Sequence, residues 1–319
     1  MLASLLVAFA PWFAASAQAQ ATSQTVALVV PYPPGGTADA LARMLAVPMG
    51  LALGQPVIID NRPGAAGTLA AAHVARAKPD GRTLLFTNAG PSAIAPAMNK
   101  NVSYDPEKDF TAISLVARSP LLLVVNGASE IKDLQGLIAY ARARPDAMAY
   151  SSPGIGSFTH LATERLAQAA GIKLLHVPYK GQAPAVTAVI SGEVQMMLSS
   201  SSGAMSEMIR NGRLRLIGVS TAEPTPLAPG APPIRQVPPG YETDFWFGIV
   251  APAQTPAAAV QRLHAAVQKA MGDPGVPAQL EATASERATG PSDEFQRYLA
   301  TEARRWRDVV VNAKIEPDK

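Results

Sequence analysis

The sequence predicts an α/β chain folded as two lobes that are joined by two extended crossings. Three observations carry this expectation. Short apolar runs alternate with helical segments of about a dozen residues, the pattern of parallel strands linked by crossover helices. The alternation stops near residue 109, passes through two extended apolar runs, and then starts again. A further apolar strand appears at residues 245–250, after the second α/β series is complete.

Residues 25–30 read as the first strand, ended by Pro31, and residues 38–53 as a helix with Thr37 at its N-cap. Asp39 falls in the first turn, where a carboxylate complements the helix dipole. Residues 57–59 form a strand, 65–77 a helix and 83–86 another strand. The extended runs at 113–116 and 121–125 meet through Ser119-Pro120. Helix 134–143, strand 148–151, helix 158–170, strand 174–177, helix 183–191 and strand 194–198 make the second series. The proline-rich stretch 224–239 reads as a surface loop, strand 245–250 follows, and helices at 257–271 and 292–312 close the chain. The lobes are therefore expected at residues 22–120 and 246–319 for one, and 121–245 for the other. Two parallel connections form a hinge that bends without letting the lobes drift apart. Trp246, on the returning strand, reads as core and is placed to report closure.

Residues 1–19 carry no charge, and Ala17-Gln18-Ala19 or Ala19-Gln20-Ala21 supplies a small-x-small cleavage site. Residues 1–21 are therefore expected to be an export signal. Pro11 and the small residues after Phe13 argue against a membrane anchor. No Lys or Arg precedes the apolar core, which places the expected start codon upstream. Roughly 300 residues then remain, enough for two domains with a large core. With 48% hydrophobic and 16% charged residues the chain suits a globule. Zero cysteines exclude disulfides, thiol nucleophiles and thiolate metal sites. The net charge of +3 is spread out, without the basic run that nucleic acid demands.

Two loops stand out for chemistry: Pro31-Tyr32-Pro33-Pro34-Gly35-Gly36-Thr37 and Ser152-Pro153-Gly154-Ile155-Gly156-Ser157. Each follows a strand, precedes a helix and ends in a hydroxyl residue. Free amides at a helix start attract anions, and glycine lets an anion approach the backbone. Either loop alone is an ordinary turn; one in each lobe suggests a shared anion site beyond the strand ends. Other signatures fail. There is no Walker spacing, no G-x-G-x-x-G with a distal acid and no G-x-S-x-G elbow. Ser129 and Lys132 match S-x-x-K without its companion motifs, and Ser129 reads as a cap. His73, His160, His176 and His264 lack zinc spacing; His160, three residues past Ser157, is the one placed to touch a ligand. No cofactor is expected.

Six motifs carry a resemblance. They are Val30-Pro31-Tyr32-Pro33-Pro34-Gly35-Gly36, Ile59-Asp60-Asn61-Arg62-Pro63-Gly64-Ala65-Ala66-Gly67, Pro79-Asp80-Gly81-Arg82-Thr83-Leu84, Ser157-Phe158-Thr159-His160-Leu161, Val177-Pro178-Tyr179-Lys180-Gly181 and Trp246-Phe247-Gly248-Ile249-Val250-Ala251-Pro252. From about residue 25 to the C-terminus the chain resembles the Bug family, the periplasmic substrate-binding receptors of tripartite tricarboxylate transporters. The resemblance implies a Venus-flytrap, type II periplasmic-binding-protein fold, no catalysis, and a monomer that hands a small organic acid to membrane permease subunits. It implies ligand contacts from Tyr32, Gly35, Gly36, Thr37, Asn88 and Ala89 in one lobe, and from Gly156, Ser157, His160 and Tyr179 in the other.

One departure matters. Where relatives commonly carry Phe-Asp after the strand at 194–198, this chain reads Leu198-Ser199-Ser200-Ser201-Ser202. Ser199 and Ser200 join the expected site, and the missing acid favours a non-amino dicarboxylate or an aromatic carboxylate over aspartate or glutamate. Glu193 or Glu207 would restore the charge if the correspondence shifts by a residue. Two other readings stay open at this point. A sensor would present its ligand to a membrane histidine kinase, and an enzyme would need a nucleophile, metal or acid–base pair not found in the sequence.

Overall fold

Val26–Val30 (β1) is apolar throughout and buried on both faces, which suits a strand inside a parallel sheet covered by helices. A computed structural model describes residues 25–315 except 146 and 202. The expected export signal therefore lies outside the described residues. After β1 the chain forms helix α1 (Thr37–Leu53), β2 (Val57–Asn61), α2 (Thr68–Ala75), β3 (Thr83–Thr87), a π-helical turn at Gly90–Ile94 and the short α3 (Ala95–Met98). The long β4 (Phe110–Ser119) then leads through Pro120 into β5 (Leu121–Asn126). The second series follows: α4 (Leu134–Ala143), β6 (Ala149–Ser152), α5 (Phe158–Ala170), β7 (Leu175–Pro178), α6 (Gln182–Ser191), β8 (Met196–Ser200), α7 (Gly203–Arg210) and β9 (Leu214–Val219). The chain closes with β10 (Phe245–Pro252), α8 (Ala257–Met271), α9 (Val276–Ala282), β11 (Glu286–Arg287) and α10 (Ser292–Asn312).

The strands make two sheets, which gives the mixed α/β, two-lobed architecture. The first is ordered β11-β4-β10-β3-β1-β2 and the second β7-β6-β8-β5-β9. Within the first, β1 runs parallel to β2 and β3, while β10 is antiparallel to both β3 and β4. In the second, β6 is parallel to β7 and β8, while β5 is antiparallel to β8 and β9. The strands flanking the crossings, β4, β5, β9 and β10, thus all make antiparallel pairs, and the short β11 adds another on β4. The two crossings are laced together: the Leu121 amide donates to Ser220 Oγ at 2.9 Å, and the Ser220 amide donates to the Leu121 carbonyl at 2.9 Å. No helix among the described residues is long and apolar enough to cross a membrane.

Some local expectations change. The runs at 113–116 and 121–125 belong to different sheets and do not pair with each other. The helix expected over 65–77 starts only at Thr68, because Ala65 and Ala66 adopt left-handed backbone at φ 45 and φ 53. α7, β9 and α9 were not anticipated. Arg215 and Gly218 dilute the apolar run of β9, and the Arg215 guanidinium donates to three carbonyls of the loop after β5.

Candidate ligand-binding cleft

β1 delivers the chain to the first loop, and Gly35 turns it at φ 89. The N-cap of α1 is Gly36, in extended backbone at φ −85 and ψ 172, so Thr37 is the first helical residue and not the cap. Glycine has no side chain with which to satisfy the first-turn amides, and no side-chain cap is present. The loop is held from below by Asp39, whose carboxylate accepts the Gly35 amide at 2.9 Å, Asn61 Nδ2 at 2.9 Å and Arg43 Nε at 2.9 Å. The Arg43 hydrogen bond dominates in holding the Asp39 carboxyl down at about 2. Asn61 also donates to the Tyr32 carbonyl at 3.1 Å. The Tyr32 hydroxyl, pushed up to about 12 by burial, donates to Asn88 Oδ1 at 2.8 Å, and Gly90 donates to the same oxygen at 2.9 Å. With Oδ1 doubly engaged, the Asn88 NH2 group remains as a neutral donor.

The second loop is built differently. Ser157 is the N-cap of α5, and its Oγ accepts the His160 amide at 3.3 Å. The Gly156 amide donates to His160 Nδ1 at 3.0 Å, and the Gly154 amide donates to Ser152 Oγ at 3.1 Å. His160 stacks on His176, with ring centroids 3.8 Å apart, and His176 stacks in turn on Tyr150. His176 Nε2 and Ser152 Oγ share a 2.6 Å hydrogen bond. Burial lowers both histidines to about 4, so the pair is neutral at pH 7 and His160 Nδ1 is free to accept.

The loops border one cavity of about 580 Å³. Tyr32, Gly36, Thr37, Asn88 and Gly90 line it from the first lobe, and Gly156, Ser157 and Phe158 from the second. Phe245 and Phe247 of β10 complete the wall between them. Phe245 lies 4.9 Å from Phe158 and 5.0 Å from Phe247, centroid to centroid, and Phe158 is 5.1 Å from Trp306. No Asp, Glu, Lys, Arg or His lines the cavity among the described residues. A second cavity of about 560 Å³ sits at the crossings, between Arg118, Asp244 and Glu286, and shares no lining residue with the first.

Six of the residues anticipated from sequence line the cleft: Tyr32, Gly36, Thr37, Asn88, Gly156 and Ser157. Three stand directly behind it. Gly35 gives its amide to Asp39, Ala89 is fully buried, and His160, 4% exposed, supports Gly156. Three others do not line it. Tyr179 donates to Glu193 at 2.7 Å, while Ser199 and Ser200 are engaged by Gln182. Glu193 is thus turned to Tyr179, and Glu207 pairs with Arg210, so neither supplies charge to the cavity. Ser202 lies outside the described residues. Phe158, Phe245 and Phe247 were not anticipated as site residues. Alternation along β10 is the signal for the last two: 245 and 247 share a face, and Trp246 takes the other, where it is fully buried and donates to Glu302 at 3.0 Å.

A family model for tripartite tricarboxylate transporter family receptors matches residues 41–315. Among solved structures, Rpa4515 of R. palustris with adipate is 34% identical, covers 93% of this chain and 99% of that one, and superposes at a TM-score of 0.74. MatC from Rhodopseudomonas palustris, with bound malate, is 32% identical over 90% of this chain and 98% of its own, at a TM-score of 0.69. The periplasmic binding protein BugD is 30% identical over 92% of this chain and 98% of its own, at a TM-score of 0.71.

Proposed function

Because the chain belongs to the tripartite tricarboxylate transporter receptor family, a family of carboxylate-binding solute receptors, we propose that it captures one non-amino organic acid between its lobes and delivers it to the membrane permease subunits of such a transporter. The observation that carries this reading is the uncapped start of α1, open to a cavity whose lining, among the described residues, has neutral donors and no charged side chain. An anionic group finds donors there in the first-turn amides, the Thr37 hydroxyl and the Asn88 NH2 group, with Ser157 across the cleft and ordered water to complete the set. An ammonium group would be buried without an anionic partner, at a large desolvation cost, which disfavours amino acids.

The reading extends to place and assembly. The protein acts as a monomer in the periplasm, reached through the export signal at residues 1–21, and performs no catalysis. One lobe comprises residues 22–120 and 246–319, the other 121–245, and the laced crossings at Leu121 and Ser220 form the hinge. The assignment of strands to two sheets supports that division. Mass spectrometry of small molecules released when the purified protein is denatured is the test. A bound organic acid without an amino group is expected; an amino acid, or a phosphorylated compound, would overturn the reading.

A further inference from the structure

Part of the cleft lining is apolar and aromatic. Phe158 and Phe245 present two half-buried rings from two different elements, α5 and β10, to one space, and Phe247, 1% exposed and stacked on Phe86, backs them. Ile94 and Ala95 extend the apolar surface. A space of about 150 Å³ already holds a benzene ring, so the 580 Å³ here takes a ring, its carboxylate and several waters together. Aromatic faces carry partial negative charge and meet other rings edge-to-face or offset, whereas a carboxylate is repelled by them.

Resting on the carboxylate-receptor reading above, we infer that the cleft selects monocarboxylates with an aromatic body over dicarboxylates of similar length. The acid group is held at the start of α1, and the ring is packed against Phe158 and Phe245. A second carboxylate at the far end of such a ligand would lie against those rings without a cationic side chain in the lining to receive it. The related structures, one with adipate and one with bound malate, name the dicarboxylates against which the preference is tested.

Calorimetric titration of the full mature chain with 3-phenylpropionate, 3-cyclohexylpropionate, adipate, malate and 3-phenylpropionamide tests this. The aryl acid should bind at least about tenfold tighter than either dicarboxylate and about two- to tenfold tighter than its cyclohexyl analogue, the scale of one aromatic pair. Its binding heat capacity should be the more negative, the mark of apolar burial. Phe245→Leu should shrink the ratio of aryl-acid to adipate affinity by about tenfold, with the thermal midpoint confirming that the variant is folded. Adipate or malate binding as tightly as the aryl acid overturns the inference and leaves the carboxylate reading intact. Binding of the amide as tightly as the acid, or of no acid at all, overturns both.

Discussion

The two strand-to-helix loops look alike in sequence and differ in what they leave unsatisfied. Both run from a strand through proline and glycine to a hydroxyl residue and a helix. In the second loop the hydroxyl sits at the N-cap, so Ser157 answers its own helix, while His160 takes the Gly156 amide. In the first loop the hydroxyl sits one residue later, at Thr37, and the cap is Gly36, which has nothing to offer. One position of offset separates a self-contained turn from an open anion site. On the proposed reading the first loop is therefore the anchor for a carboxylate, and the second is the wall that meets it.

The largest expected effect falls on the anchor. A Cβ at Gly36 meets nothing within 4 Å, and φ −85 suits any residue, so Gly36→Val is free of strain and projects into the cleft. Binding of the organic acid should fall by about a hundredfold or more, while stability changes by only about 0.5 kcal/mol. Titration calorimetry beside a thermal melt reads both. Next is the support beneath the anchor. Asp39→Ala removes the buried acceptor that ties Gly35, Asn61 and Arg43 together and should cost about 1 kcal/mol of stability, with weaker binding following from a loosened loop. On the wall, Ser157→Ala removes a cap and should cost about 1 kcal/mol in denaturant unfolding. Its effect on affinity should be far smaller than that of Gly36→Val; equal losses would mean that the loops share the anion evenly.

A pH profile separates the loops further. His160 and His176 titrate near 4 in the fold, against an ordinary 6.5. The unfolded chain takes up protons first, so stability is fully present above pH 6.5 and is lost as pH falls toward 4. Asp244, raised to about 6 mainly by burial, has the opposite slope: its contribution is lost as pH rises through 6. His176→Phe keeps a ring against His160 and Tyr150 and leaves Asp244 unchanged. After allowance for partial solvent screening, the variant should lose about 1 kcal/mol less than wild type between pH 6.5 and 4. The smallest effect concerns salt. Neutral donors in the cleft should leave affinity within about threefold between low and physiological ionic strength, because buried contacts are weakly screened. A steep dependence would point to a cationic side chain at the anion.

The family, the two-lobed α/β class and the first loop were legible from the sequence because they are local patterns: periodicity, glycine and proline punctuation, and contiguous motifs. The cleft wall was not. Phe245 and Phe247 are ordinary strand aromatics until β10 is placed between β3 and β4, and only then does their face border the cavity. Trp246 is core, as expected: the pleat turns it against Glu302 and Phe295, so Trp306, packed on Phe158, is the better reporter of the cleft. The serines at the end of β8 follow a related logic. Ser199 and Ser200 lie next to the cleft in a motif correspondence, but Gln182 of α6 engages both. The cap offset between Thr37 and Ser157 depends on backbone angles that no residue pattern states.

Backbone amide NMR of the mature chain at pH 7 tests the anchor most directly, titrated with whichever of 3-phenylpropionate and adipate binds more tightly. The first-turn amides of α1, at Thr37 and Ala38, should show the largest downfield proton shifts as they take up hydrogen bonds to the carboxylate. The Gly156 amide, already bonded to His160, should move little. The largest shift at Gly156, with Thr37 and Ala38 unmoved, would contradict the assignment and make the second loop the anchor.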